Sequence, residues 1–198
     1  MPTGVHLRDV RGQLFHAAER VLLRDGPNAL TSRAVTTEAD VAKGVLHRHF
    51  ADFDDFLAEL VRNRLARLAD QAALLQAAAG TRSVTENLVN TLIELFDPVT
   101  TALTSLIFFR DELRTRLRGE KGLPILSEAQ EMLRTYLSAE REQGRIAPNA
   151  ELSALAVALI GAAHLIFAGR PRQSLPNPTE LEKMVTTVMA DPLQRRLL

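Results

Sequence analysis

An all-α protein is what the sequence predicts, and three observations carry the prediction. Apolar residues recur at three- and four-residue spacing along almost the whole chain, as one face of a helix requires. No segment alternates apolar and polar positions as a half-buried strand would. Capping residues and breakers then punctuate the pattern into about nine helices, three short ones first and six longer ones after. At 198 residues with 46% hydrophobic side chains, the chain can bury a substantial core.

The first helix spans 7–25, with Leu14, Phe15, Ala18, Val21 and Leu22 on one stripe, and "DGPN" ends it. Thr31 or Ser32 can cap a short helix through Ala39, because a hydroxyl there accepts backbone N–H groups that lack a helical partner. A turn at Asp40-Val41 follows, then a second short helix from about Ala42 to His49, and a long one over 54–78. Ser83 and Glu86 form a capping-box pair before a helix reaching Phe96. Pro98 breaks the pattern, and a further helix runs to about Arg118 before "GEKGLP". Residues 125–143 are amphipathic and stop at Gly144; Asn149 is placed as the cap of an apolar helix ending near Gly169. "GRPRQSLPNP" (169–178) reads as a linker, and Asn177, Pro178 and Glu180 open a last helix to about Ala190.

Charge names no partner, with 24 basic side chains against 24 acidic ones. Lysine occurs only at Lys43, Lys121 and Lys183, so arginine carries most of the positive charge. The absence of cysteine excludes disulfides and thiolate metal sites. The start carries charges among its apolar residues, so no signal peptide is expected and the location is read as cytoplasmic. Residues 152–169 run without a formal charge, which touches the length of a membrane span. Their Ala and Gly content, Ser153 and His164 favour a helix buried against other helices, so no membrane is expected.

Two short helices joined by a tight turn, after a longer helix, describe a helix-turn-helix unit at 31–50. The second would enter a DNA major groove. Val41 and Leu46 face inward and Phe50 closes the core, leaving Lys43, Val45, His47, Arg48 and His49 outward or on the flanks. Gly44 costs helix stability, which points to close backbone approach, with a phosphate backbone as the natural candidate.

Residues 30–50, "LTSRAVTTEADVAKGVLHRHF", followed by "ADFDDFLAELV", resemble the amino-terminal domain of TetR-family transcriptional regulators. The resemblance covers about residues 8–68, so that 69–198 is expected to be a regulatory, ligand-binding and dimerisation domain. Thr31, Lys43, Gly44, Leu46, His49 and Phe50 match the family pattern. Four positions depart from it: Asp40 replaces glycine, Ala42 serine, His47 tyrosine, and Phe53-Asp54 stand where a lysine often touches the DNA backbone. What the resemblance implies is a homodimer reading a two-fold symmetric double-stranded operator. The DNA-binding set is Thr31, Ser32, Arg33, Lys43, Gly44, Val45, His47, Arg48 and His49. Lys43 and His47 would hold phosphates, Val45 and Arg48 would meet base edges, and Arg33 lies on the helix crossing the backbone.

Electrostatics tests that reading. Residues 1–50 carry a net charge of only +2, and 51–60 add four acids and no base. Attraction to DNA must therefore be local, around Arg33, Lys43, Arg48 and the histidines, and supplemented by a partner subunit. His47 and His49 stand two apart, on different sides of a helix, with no further ligand at metal-binding spacing; no metal and no cofactor are expected. Asp52, Asp54, Asp55 and Glu59 suit a helix N-terminus better than a pair of catalytic carboxylates. With no nucleophile–base arrangement or phosphate-binding glycine loop either, an enzyme is not expected.

The carboxy-terminal part holds more apolar surface than one subunit needs. Leu152, Leu155, Leu159, Ala163 and Ile166 on one helix, with Leu181, Met184, Val185 and Val188 on the last, are the candidate dimer interface; the alternative is that they fill the core. Phe96, Leu103, Phe108, Phe109 and Tyr136 are candidate walls of an effector pocket, with Arg110 and His164 as polar anchors. Asn87, Asn90, Thr91 and Glu94 share a helix face that reads as solvated. The expected function is a repressor released from its operator by a small apolar effector. The alternative is a helical ligand-binding or interaction dimer that no longer reads DNA, which the acidic 51–60 segment favours.

Overall fold

The computed structural model describes residues 9–117, 123–168, 170 and 177–193. The expected first turn at 7–8, the end of the helix at Arg118, most of "GEKGLP" and most of the 169–178 linker lie outside them. Among the described residues there are ten α-helices, one 3-10 turn at Pro27–Ala29 and no strand. They cluster into two compact units, Met1–Arg62 with Ala102–Gly119, and Asn63–Thr101 with Glu120–Leu198.

The first unit begins with α1 (Val10–Asp25), capped by the Asp9 carboxylate, which accepts from the Gly12 N–H at 2.8 Å. Gly26 ends it at φ 85°, a conformation that costs glycine little. Thr31 rather than Ser32 caps α2 (Ser32–Glu38), accepting from the Ala34 N–H at 3.1 Å. The first full turn of α3 (Gly44–His49) starts two residues later than the sequence suggests. Leu14, Leu22, Val35 and Leu46 are fully buried around the rings of Phe15, Phe50 and Phe56. Those rings meet pairwise at centroid distances of 5.1 to 5.9 Å. Such pairs contribute about 0.5–1.5 kcal/mol each beyond their buried area, so this cluster sets the pose of α3.

Two helices run from one unit into the other, α4 (Phe53–Ala77) and α6 (Pro98–Phe109). Pro98 opens α6 as well as breaking the pattern before it, because the Asp97 carboxylate accepts from the Thr100 N–H at 2.7 Å. The single helix expected up to Arg118 is two. Arg110 adopts extended backbone (φ −124°, ψ 99°), and α7 (Asp111–Arg116) starts after it. A side-chain pull accounts for the break: the Arg110 guanidinium donates to Asp54 at 2.8 Å and lies over the Phe53 ring. Arg114 then bonds the Phe108 carbonyl, one of those that α6 leaves open at its end.

In the second unit α8 (Pro124–Glu142) packs on α9 (Leu152–Ala168), and α10 (Pro178–Val188) packs on both α9 and α5 (Val84–Leu95). Leu88, Leu92, Leu133, Leu137, Leu159, Leu181 and Val185 are fully buried there. The Ser83–Glu86 capping box is formed in full. Asn149 does not cap α9, which starts at Leu152. Residues 146 and 147 are instead held in an isolated antiparallel bridge, Ile146 with Leu193 and the Ala147 N–H donating to the Pro192 carbonyl at 2.8 Å. Buried charges are matched. Glu140, wholly buried, accepts two bonds from Arg145, at 2.6 and 2.5 Å. Arg64, 7% exposed, pairs with Asp97 and donates to the Thr100 hydroxyl at 2.8 Å. No single helix among the described residues is long and apolar enough to cross a membrane.

Candidate nucleic-acid interface

The turn between α2 and α3 is built from local hydrogen bonds. Asp40 takes φ 52°, which aspartate tolerates better than most residues, and its N–H donates to the Thr37 carbonyl at 3.1 Å. The Val41 N–H donates to the Thr36 carbonyl at 3.0 Å, and the Gln13 amide of α1 donates to the Ala39 carbonyl at 2.9 Å. With Leu46 and Phe50 buried below, α3 has one face fixed in the core and the other presented outward. Lys43, Gly44, His47, Arg48 and His49 are exposed on it, and Val45 is half-buried. Thr31 and Arg33 are exposed and Ser32 half-buried at the start of α2. All nine residues expected at DNA thus lie on two adjoining helices, their turn and the cap before them.

Ion pairing sharpens this surface. Glu38 holds both Arg20 and Arg24, each at 2.7 Å, and its carboxyl sits below the usual range because of the Arg20 hydrogen bond first, then that of Arg24. Glu59 holds Arg11 at 2.7 Å and Arg62 at 2.9 Å. Asp54 holds Arg110 at 2.8 Å, Asp52 holds Arg116, and Asp111 holds Arg114. Arg33, Lys43 and Arg48 are the described basic side chains of this unit that have no carboxylate partner. A unit with little net charge therefore still offers three uncommitted cations on α2 and α3.

Residues 14–60 match the profile described as bacterial regulatory proteins, tetR family. Over that stretch, about a quarter of its length, the chain is similar to TetR-family regulators. No curated protein matches the chain by sequence. Solved structures extend a likeness of fold over nearly the whole length. FadR of Bacillus halodurans, a fatty acid degradation regulator, aligns at TM-score 0.68 and 18% identity over 92% of this chain and 99% of that one. SmeT, the repressor of the Stenotrophomonas maltophilia multidrug efflux pump SmeDEF, aligns at 0.65 and 14%, covering 96% and 94%. The multidrug binding protein EbrR, complexed with imidazole, aligns at 0.62 and 22%, covering 94% and 97%. The TetR-type architecture, a helix-turn-helix domain followed by a larger helical part, thus describes this chain.

The remaining expected site residues are scattered. Phe96, His164 and Tyr136 belong to the second unit, whereas Leu103, Phe108, Phe109 and Arg110 belong to the first. Phe96 stacks on Phe167 at 5.4 Å and meets the half-buried His164 at 5.8 Å. Burial holds the His164 imidazole below its ordinary pKa. Tyr136 is fully buried, its hydroxyl accepts from the Asn87 amide at 3.0 Å, and burial pushes its pKa up. Leu103 is core, Phe109 is 90% exposed, and Arg110 is committed to Asp54. Gln71, Leu74, Asn90, Thr91 and Glu94 line a surface cleft of about 350 Å³ between α4 and α5.

Of the candidate dimer residues, Leu152, Leu159, Ala163, Leu181 and Val185 are buried inside the chain itself, and Leu155, Ile166, Met184 and Val188 are half-buried. The exposed apolar stripe of α9 is the opposite one: Ala154, Val157, Ala158, Gly161 and Leu165. Sequence reasoning missed it because α9 carries no charge to tell one face from the other.

Proposed function

We propose that this chain is a transcriptional repressor that binds operator DNA as a homodimer and is released by a small apolar effector. The observation that carries the reading is the set of uncommitted cations, Arg33, Lys43 and Arg48, on the exposed surface of α2 and α3. Lys43 and His47 hold phosphates there, and Arg48 and Val45 face base edges. Two such surfaces are brought to one operator by α9, whose stripe of Ala154, Val157, Ala158, Gly161 and Leu165 lets two helices approach closely. His164 beside Phe96 and Phe167 supplies the mixed polar and aromatic chemistry that an apolar effector with one polar group would use. Effector binding then shifts the population away from the DNA-competent state. The likeness of fold to SmeT, a repressor, and to EbrR, a multidrug binding protein, supports this direction.

The reading without DNA loses its best support, since Asp52, Asp54 and Glu59 are paired to arginines of the same unit. Recovery of bound duplexes from a random pool tests the proposal. A two-fold symmetric consensus is expected, and enrichment of no sequence over the starting pool overturns it.

A further inference from the structure

The acidic turn that follows α3 is a problem for any DNA reader, because it begins only three residues after His49. Asp52, Asp54 and Glu59 carry negative charge beside the helix that must approach phosphates. The described structure answers with arginines drawn from far along the chain. Arg116 bonds Asp52, Arg110 bonds Asp54 at 2.8 Å and stacks over Phe53, and Arg11 bonds Glu59 at 2.7 Å. Arg62 also bonds Glu59 at 2.9 Å and donates to the Arg116 carbonyl at 3.3 Å, tying α7 to α4. Asp55 is used differently, accepting from the Ala51 N–H at 3.0 Å.

We infer that Arg110 and Arg116 are positioning residues for DNA binding, supplying the counter-charge that lets the acidic start of α4 lie close to a phosphate backbone. The inference rests on the proposed reading of DNA by α3. A purely stabilising role does not explain the arrangement well. The two pairs are a quarter to a half exposed, with side-chain exposures of 32% and 24% for Arg110–Asp54 and 39% and 48% for Arg116–Asp52. Ion pairs so exposed contribute little to stability. Their effect on an approaching polyanion is larger, because a charge within about 10 Å of phosphates at 0.1 M salt is only partly screened. The break at Arg110 has a purpose on this account: extended backbone there frees the guanidinium to reach Asp54, and α7 then carries Arg116 to Asp52.

The test measures affinity against salt for a duplex that the parent chain recovers from a random pool and for an unrelated duplex of equal length. Circular dichroism melting accompanies each variant. Arg110→Gln with Arg116→Gln should weaken both duplexes about five- to tenfold at low salt, with the loss shrinking as salt rises. Adding Asp52→Asn and Asp54→Asn to that variant should restore parental affinity, which a structural role for the arginines would not allow. Lysine at both arginine positions keeps the charge and should bind within about twofold of the parent. Unchanged affinity in a folded glutamine variant, no rescue by the asparagines, or a loss with lysine as large as with glutamine overturns the inference. A parent chain that binds neither duplex overturns the DNA reading itself, and this inference with it.

Discussion

At Gly44 an added methyl group would meet nothing within 4 Å of its own chain, and the residue has no need of left-handed backbone. A glycine there lowers helix propensity with no gain inside the subunit, so the gain is expected at a partner's surface. Gly44→Ala should raise thermal stability by up to about 1 kcal/mol and weaken DNA binding at the same time. Both quantities rising together would detach Gly44 from the interface. The neighbouring cations should separate by role. Lys43→Ala should weaken all duplexes alike and lower the salt slope by about one per subunit. Arg48→Ala should relax preference at one position in each half-site, by about 1–3 kcal/mol against the preferred base; equal losses on selected and random DNA would place Arg48 on phosphate instead. His164 bears on stability. Half-buried, it resists protonation, while in the unfolded chain it titrates near the ordinary histidine value of about 6.5. Stability should therefore fall as pH drops through 6.5, because the unfolded state takes up the proton first. Urea midpoints at pH 7.5 and 5.5 should differ less for His164→Gln than for the parent; an equal difference would mean that other groups carry the acid sensitivity.

Among the elements, α9 makes the sharpest demand because both its faces are apolar. Val157 and Leu165 are 53% and 77% exposed, whereas Val185 of α10 is fully buried. Val157→Glu and Leu165→Glu should give folded monomers, since a charge in a dimer seam has no partner there. Val185→Glu should instead unfold the chain. Light scattering with circular dichroism distinguishes the two, and dimers persisting in both α9 variants would remove this face from the interface. How legible each element was follows from the signal it carries. The helix-turn-helix was readable because its cap Thr31, turn residue Asp40 and inward residues Leu46 and Phe50 each carry a local rule, and the structure obeys all four. The orientation of α9 was not readable, because residues 152–168 hold no polar stripe to mark solvent. Nor was the break at Arg110, where apolar spacing continues through Leu106, Ile107 and Leu113, all buried. What stops α6 is an arginine reaching 56 residues back along the chain.

At the scale of the whole chain, the same kind of long-range tie decides what the first unit contains. The resemblance seen in the sequence covers a continuous block, about residues 8–68, and yet Ala102–Gly119 clusters with the amino-terminal residues. Arginines 110 and 116 reach Asp54 and Asp52 across intervals that no local pattern encodes. The acidic count over 51–60 was the available signal, since four carboxylates without a base call for partners from elsewhere. A comparable tie closes the other end. Pro192 and Leu193 are joined to Ala147 and Ile146, and Ile146 is fully buried. The last described residues therefore behave as a hasp over the α8–α9 connection and cannot be trimmed as a loose tail. A chain stopped after Asp191 leaves the Ala147 N–H without its acceptor, a loss of about 1–3 kcal/mol if water does not replace it. Hydrogen exchange should then quicken at Ala147 and the first turn of α9, while the amides of α1 to α3 keep their parental rates. A uniform quickening across the chain would mean that the hasp holds the entire fold rather than one joint.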